Sequence, residues 1–496
     1  MKPQLSFALA AVTGVLLVLI QPAPSFTFLA PFALVPILIA AANEASDRRR
    51  FLYGWLAGVI QWGATCYWIR DTLALHGGMS GWMATFLFVL FALAKGLHLA
   101  VFSTFAGWLF GLRWASPVIA LLWVGLERTH AELGFTWLLL GNAGTDMGVP
   151  MRLAPLFGVY GVSFVFALLS ASVAGWYLRR ERTQLIWCVP LLALYLFPAL
   201  PDVKGGDMNA LVVQLNLPED VSLGSEQVRE AYDKLARITL GAALDPSNRK
   251  PSLLLWPEVP LSLYYETDAQ FRAQVASLAR LAGAPFLFGT VRFDAQGNPF
   301  NSAQLLTATG DNAGVYDKMN LVPFGEYVPP IFNQIVGKVS QEAGTFQPGT
   351  AIKVFPTPAG KLGVFICYET AFAHHVRAIT AQGADVLVNL SNDGYFGKSA
   401  ARGQHLLLSR MRAAENSRWL LRSTNDGFTA SIDPAGRVID ELAPYRVATG
   451  RLQYSTAFTT TYYTRTGDVF VWLALGAGLT LGAWIKIRDH RKIGFA

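Results

Sequence analysis

Eight long apolar stretches constrain this chain more than any other feature of its sequence. Seven run roughly over residues 5–21, 26–42, 51–69, 83–110, 115–130, 157–177 and 184–200, and the eighth roughly over 467–485. Most approach the ~20 residues that a helix needs to cross a hydrocarbon core of about 30 Å. In such a medium each backbone N–H and C=O must find its partner within the segment, so the helix is the form expected of them. The predicted architecture is a polytopic α-helical membrane bundle of eight spans. Composition agrees: 53% of the 496 residues are hydrophobic and 15% are charged, and the mean hydropathy is +0.36. That is too apolar for an ordinary soluble protein. Lys2 followed by an apolar run also resembles a signal peptide, but Gln21-Pro-Ala-Pro-Ser25 makes a poor cleavage site.

Three details of the apolar part carry further expectations. Lys95 lies near the middle of the fourth stretch, where an ammonium is costly; it is expected to serve a function, face the bundle interior or snorkel along a tilted helix. Gly478-x-x-x-Gly482 is a helix-packing signal in the last stretch. The connection from about 131 to 154 is apolar but too short to cross and return. It is either an interfacial segment with Trp137 at headgroup depth or an ordinary packed loop.

Charge sets the predicted orientation. One side of the bundle holds Lys2, Arg48, Arg49, Arg50, Arg113, Arg179, Arg180, Arg182, Lys486, Arg488, Arg491 and Lys492, and the other only Arg70, Arg128 and Arg152. By the positive-inside rule both termini are cytoplasmic, and seven spans then place the segment from about 203 to 465 outside. The formal net charge is +7, yet no basic run with interleaved aromatics suggests nucleic acid as a partner. Cys66 and Cys188 lie in apolar stretches, so a disulfide framework is not expected and Cys367 is a single unpaired thiol in the outer part.

Composition changes sharply after Pro201-Asp-Val-Lys-Gly-Gly206. Strand-like runs at Ala210–Leu217, Ser252–Trp256, Pro285–Gly289, Ala303–Thr307, Leu362–Cys367 and Val386–Leu390 alternate with helix-like stretches at Ser225–Leu244, Asp268–Ala282, Phe372–Gln382 and Gly403–Glu415. The alternation predicts a layered α/β domain of about 260 residues. The expected domains are 1–202 as an N-terminal membrane part, 203–465 as an extracytoplasmic catalytic domain, and 466–496 as a last span with a basic tail.

Three segments of that domain put chemistry at strand ends. Leu253-Leu-Leu-Trp-Pro257-Glu258 delivers a carboxylate just after a proline that ends the pairing. Val315-Tyr-Asp317-Lys318 leads into a rigid Pro/Gly loop with Glu326. Val364-Phe-Ile-Cys367-Tyr368-Glu369 ends a buried run on a thiol. A buried cysteine is usually only a small hydrophobe. Together, however, these residue types suit acyl transfer through a thioester. A thiol of pKa about 8.5 needs a base, and an ammonium can stabilise the tetrahedral oxyanion with help from the backbone N–H next to the nucleophile. His374 and His375 are expected to cap or be solvated. No metal-ligand cluster, phosphate-binding loop or nucleotide fingerprint is present, so no metal and no cofactor are expected.

Glu258, Lys318 and Cys367, in that order and each at a strand end, resemble the nitrilase, or carbon–nitrogen hydrolase, superfamily. The strings Leu321-Val-Pro-Phe-Gly-Glu-Tyr-Val-Pro329, Cys367-Tyr-Glu369, Asn389-Leu-Ser-Asn-Asp-Gly-Tyr-Phe-Gly397 and Gly158-Val-Tyr-Gly-Val-Ser-Phe164 are similar to its apolipoprotein N-acyltransferase family. The resemblance implies a four-layer αββα sandwich in which Glu258 is the general base, Lys318 the oxyanion-stabilising cation and Cys367 the nucleophile. It implies that Glu326 assists and that Tyr368 and Glu369 shape the pocket beside the thiol. Tyr395, Thr136 and Asp426 stand where that family often has tryptophan, proline and threonine. The implied partners are a phospholipid acyl donor, a diacylglyceryl-modified lipoprotein acceptor and membrane lipids, and the implied location is the bacterial inner membrane with the catalytic domain on the periplasmic side.

A two-chain phospholipid effectively never leaves the bilayer, since each buried CH₂ is worth about 0.8 kcal/mol. An enzyme using it must bring its thiol to the interface, and Trp137 is a candidate to line lateral access for acyl chains. A lid over the thioester is expected, with Val336–Gly349 as the candidate. Two other classes share part of this pattern. A membrane-tethered amidase or nitrilase would use the same three residues on a small amide. A transporter with an accessory domain would rest on the bundle and Lys95, but predicts repeats that the sequence lacks.

Overall fold

The structure is a computed structural model that describes residues 1–178, 182–217, 224–259, 261, 264–328 and 346–493. The chain divides into a helical unit, made of Met1–Tyr67, Thr85–Leu200 and Thr466–Ala496, and an α/β unit, made of Trp68–Ala84 and Pro201–Arg465.

The apolar stretches are helical. Helices cover Pro3–Leu19, Val35–Ala42, Asp47–Thr65, Gly81–Leu109, Ala115–Glu132, Val159–Tyr177 and Val469–Ile493. Among the described residues, Gly81–Leu109, Val159–Tyr177 and Val469–Arg488 are long and apolar enough to cross a membrane. The seventh stretch is a 3₁₀ helix, Arg182–Leu196, with Pro190 inside it; proline has no N–H to give an α-helical ladder. Gly478 makes the last helix fit, because a Cβ there would come 2.9 Å from Cβ of Leu122.

Lys95 faces the interior of this unit. Its ammonium lies 2.6 Å from Nδ1 of His130, donates to the carbonyl of Phe135 at 2.8 Å and sits 4.6 Å from the centroid of Trp62. The loop after the helix Ala115–Glu132 is packed as well. Trp137 is 1% exposed and stacks with Phe135, and Leu140 N–H donates to Glu127 at 2.7 Å. The loop is therefore a packed one. The physical reason is that the turn Leu140–Gly144 finds its hydrogen-bond partners inside the unit.

In the α/β unit the strands are β1 Met208–Gln214, β2 Leu253–Leu255, β3 Phe286–Phe293, β4 Pro299–Leu306, β5 Asn312–Asp317, β6 Val354–Thr357, β7 Gly360–Ile366, β8 Val386–Ser391, β9 Leu420–Thr424, β10 Thr429–Ile432, β11 Val438–Leu442 and β12 Ala448–Tyr454. They form two six-stranded sheets, ordered β12-β1-β2-β3-β4-β5 and β11-β10-β9-β8-β7-β6. The centres, β1-β2-β3 and β7-β8-β9, are parallel. Strands β2 and β8 are buried along their whole length, as parallel strands covered on both faces must be.

Helices Ser225–Ala243 and Ala269–Ala282 cover the first sheet, with Tyr232, Leu235, Phe271 and Val275 packed on Leu211, Trp256 and Phe286. Helices Ala373–Ala381 and Ala401–Asn416 cover the second, with Val376, Ile379 and Ala413 on Phe365, Leu387 and Leu420. The bare faces of the sheets meet, as in the 2.8 Å bond from the Thr429 hydroxyl on β10 to Gln214 on β1. The layer order is helix, sheet, sheet, helix.

Strand direction positions the site. Strands β3 and β4 are antiparallel, and so are β4 and β5, so β5 runs the same way as β2. The carboxyl ends of β2 and β5 therefore lie at one end of the first sheet, and those of β7 and β8 at one end of the second. In such sheets ligands bind outside the carboxyl ends.

Candidate active site

The first sheet contributes a buried charge cluster. Glu258, three residues past β2, is 5% exposed, and Lys318, directly after β5, is 1% exposed. The Lys318 ammonium donates to Glu258 Oε1 at 3.2 Å and to Glu326 Oε1 at 2.9 Å. Asn301 on β4 bridges the same two oxygens through Nδ2, at 2.7 Å each. Glu326 Oε2 accepts from the Val322 N–H at 2.8 Å, so the Pro/Gly loop closes on itself. Gly289 on β3 makes room for this arrangement, because a Cβ there would stand 2.7 Å from Cα of Glu258.

The second sheet contributes the thiol. Strand β7 ends at Ile366, and Cys367 opens a 3₁₀ turn, Cys367–Ala371. Its φ of 50° is a left-handed conformation that costs a non-glycine residue on the order of 1–3 kcal/mol. Glu369, fully buried, fixes the turn against the lysine segment. Its carboxylate accepts from the N–H groups of Ile366 (2.7 Å), Met319 (2.7 Å) and Asn320 (3.0 Å) and from the Tyr316 hydroxyl (2.8 Å). The expected pocket-lining residue is thus a clamp between the backbones that carry Cys367 and Lys318. Tyr368 is buried with its ring edge-on to Phe372. His375 is buried too, 3.2 Å from the Tyr316 hydroxyl. It is neither solvated nor a cap, because Glu369 and Tyr316 give it partners inside.

The turn after β8 connects the two halves. Asn392 N–H donates to Glu258 Oε2 at 2.9 Å. Asp393 accepts from Arg422 on β9 at 2.7 and 2.8 Å, and His405 stands 3.1 Å from the Cys367 carbonyl. Tyr395 in the same string is 41% exposed. Its carbonyl accepts from the Thr72 hydroxyl at 3.1 Å, and its ring meets His76. It belongs to the contact with the helix Trp68–Leu75, not to the buried cluster. Asp426 pairs with Arg402 at 2.6 Å. Trp137 is part of the helical unit. Of the lid candidate Val336–Gly349, residues 336–345 lie outside the described residues. Its remaining end is tied down, with Gly349 N–H donating to the Lys318 carbonyl at 2.8 Å.

The electrostatics follow from burial and these contacts. Burial, then the Glu258 carboxylate, pushes the Cys367 thiol pKa well up, against the pull of Lys318. Burial also raises Glu258, with Glu326 adding to it and Lys318 opposing. For Lys318 burial works against the charge, but the carboxylates of Glu258 and Glu326 hold its pKa well above the ordinary lysine value. The cluster holds one firm cation among groups that compete for a proton.

Asn301, His405 and Arg422 were not singled out from sequence, and Asn392 and Asp393 only as members of the string Asn389–Gly397. No local pattern marked Asn301 or Arg422, since each sits in a strand with two other polar residues.

Residues 211–457, which hold the buried carboxylate, ammonium and thiol, match the Carbon-nitrogen hydrolase family. Residues 13–172 match the Apolipoprotein N-acyltransferase N-terminal domain. The Apolipoprotein N-acyltransferase of Geobacter metallireducens is 30% identical, over 97% of this chain and 95% of its own length. That of Methylococcus capsulatus is 31% identical, over 94% and 93%. The chain belongs to the apolipoprotein N-acyltransferase family. Among solved structures, an amidase from Nesterenkonia sp. is similar at 20% identity, over 53% of this chain and 94% of that chain, with a TM-score of 0.39.

Proposed function

We propose that the chain transfers an acyl group from a membrane glycerophospholipid, by way of a thioester on Cys367, to the N-terminal amine of a diacylglyceryl-cysteine lipoprotein. The observation that carries the chemistry is the buried contact of Lys318 with Glu258 and Glu326, with Glu369 tying the lysine segment to the Cys367 turn. Family membership over nearly the whole chain supports the lipoprotein acceptor.

In this scheme the thiol proton leaves as attack begins. Glu258 takes it while sulfur bonds to the ester carbonyl carbon, and Lys318 with the N–H next to the nucleophile stabilises the oxyanion. The carbon–oxygen bond breaks, Glu258 returns the proton to the glycerol oxygen, and lysophospholipid leaves. The neutral amine of the acceptor then attacks the thioester. A carbon–nitrogen bond forms, the carbon–sulfur bond breaks, Glu258 accepts the amine proton, and the thiolate is reprotonated. This is a ping-pong sequence. Glu326 keeps Lys318 in place, and Glu369 holds the nucleophile turn against the lysine segment.

The reading extends to topology. Eight spans, with 1–202 and 466–496 in the bacterial inner membrane, both termini cytoplasmic and 203–465 periplasmic, follow from the apolar stretches and the charge bias. The test uses phospholipid with a labelled acyl chain and mass spectrometry of the Cys367 peptide. A thioester adduct is expected in the native chain and none after Cys367→Ala. Undiminished covalent labelling of the alanine variant would sink the scheme.

A further inference from the structure

Cys367 presents its thiol from a backbone conformation that cysteine disfavours, and such a conformation persists only where the surroundings over-determine it. Here the surroundings are a buried polar network. Nε2 of His405 lies 3.1 Å from the Cys367 carbonyl oxygen. A carbonyl can only accept, so this nitrogen carries the hydrogen and donates. Nδ1 of the same ring lies 3.0 Å from Oδ1 of Asp393 and 3.0 Å from Nη2 of Arg422. Arg422 grips Asp393 and also donates to Oδ1 of Asn389 at 2.5 Å, and Nδ2 of Asn389 makes a longer contact, 3.5 Å, with the same Cys367 carbonyl. His405, Asp393 and Arg422 are all fully buried. The turn after β8 acts on both reacting groups: Asn392 N–H holds the Glu258 carboxylate, and Asp393 fixes Arg422, which donates to Nδ1 of the ring that holds the nucleophile's carbonyl.

We propose that His405, oriented by Arg422, which Asp393 grips, is a positioning residue for acyl transfer, its Nε2–H locking the Cys367 turn so that the thiol stands ready for Glu258. This rests on reading Cys367 as the acyl-carrying nucleophile. The ring need not be charged for this. Burial first, then the Arg422 guanidinium, holds its pKa below the ordinary histidine value against the pull of Asp393.

The test compares full-length native protein, His405→Phe and His405→Gln in single-turnover acylation by labelled phospholipid. The adduct is read at the Cys367 peptide, and rates are normalised to the fraction of Cys367 that iodoacetamide can alkylate. Phe fills the space without a donor, whereas Gln keeps an N–H able to reach the carbonyl. The Phe variant is expected to acylate roughly 10- to 100-fold more slowly, with the phospholipid concentration for half-maximal rate unchanged and most of the rate restored by Gln. An unchanged rate in Phe, or an equal loss in Phe and Gln, would overturn the proposal. If the Phe variant does not fold, Arg422→Lys replaces it, keeping the charge but losing the fork that grips Asp393. Slowed acylation at unchanged half-saturation then supports the proposal, and a native rate overturns it. Should the native chain form no adduct at Cys367, the nucleophile reading itself fails. Positioning is then judged by alkylation alone: slower alkylation of Cys367 in Phe than in Gln supports it, and equal rates overturn it.

Discussion

Each unit buries a lysine, and the two are satisfied in opposite ways. Lys95 in the helical unit is 6% exposed and Lys318 in the α/β unit 1%. Among the described residues, Lys95 meets neutral partners: a histidine nitrogen, a backbone carbonyl and the face of Trp62. Lys318 meets two carboxylates. Dipoles and a π-face tie Lys95 into its helix packing, while two carboxyl groups hold Lys318 a cation, at the place where the proposed scheme forms an oxyanion. Burial of a lysine is therefore not in itself a mark of catalysis. The charge of its partners decides what it is for.

The largest effect expected from breaking this contrast is at Lys318. Lys318→Met is expected to slow single-turnover thioester formation by roughly 10²- to 10³-fold, the usual loss on removing an oxyanion-stabilising group. A rate near the native value would erase the distinction between the two lysines. Glu326→Gln sharpens it through pH. Glu258 must be ionised to act as a base, and burial with the Glu326 charge raises its pKa, so acylation is expected to fail, as pH falls, above the ordinary glutamate range. Removing the Glu326 charge lowers the Glu258 pKa and is expected to move that acid limb to lower pH. A pH profile of the acylation rate checks the sign, and a shift upward would contradict it. The smallest effect on activity is expected from Lys95→Met. It removes the donor that Lys95 gives to His130 and the Phe135 carbonyl and is expected to cost about 1–3 kcal/mol of stability, with acylation nearly unchanged. Thermal unfolding in detergent alongside the acylation assay separates the two readouts.

The strands that bear the candidate triad were legible to different degrees. β2 and β7 are apolar runs followed closely by a candidate residue, Glu258 and Cys367, and both read as strands from sequence. β5 does not, because Asn312-Ala-Gly-Val-Tyr-Asp317 alternates weakly and carries a glycine. β9, Leu420-Leu-Arg-Ser-Thr424, is wholly buried although three of its five residues are polar. It qualifies as a strand only because Asn389 and Asp393 satisfy Arg422. β12 completes the first sheet against β1, a pairing between distant parts of the chain that no local pattern encodes. The segment Trp68–Ala84, whose Trp68 donates to Gln404 at 3.3 Å, joins the α/β unit for the same reason.

The sequence by itself determined that this chain has long apolar helices, a layered α/β part, and a carboxylate and a thiol just past apolar runs. Each of these is a short-range property, set by side-chain periodicity and by backbone groups that must pair locally. Tertiary structure alone decided that Glu258, Glu326 and Asn301 converge on Lys318, that Glu369 is a clamp, that Trp137 is packed, and that Cys367 is held in a left-handed turn under His405. Those outcomes depend on strand register and on contacts between residues far apart in the chain. A shift of one residue in β4 or β8 would turn Asn301 or Asn389 to the other face of its sheet.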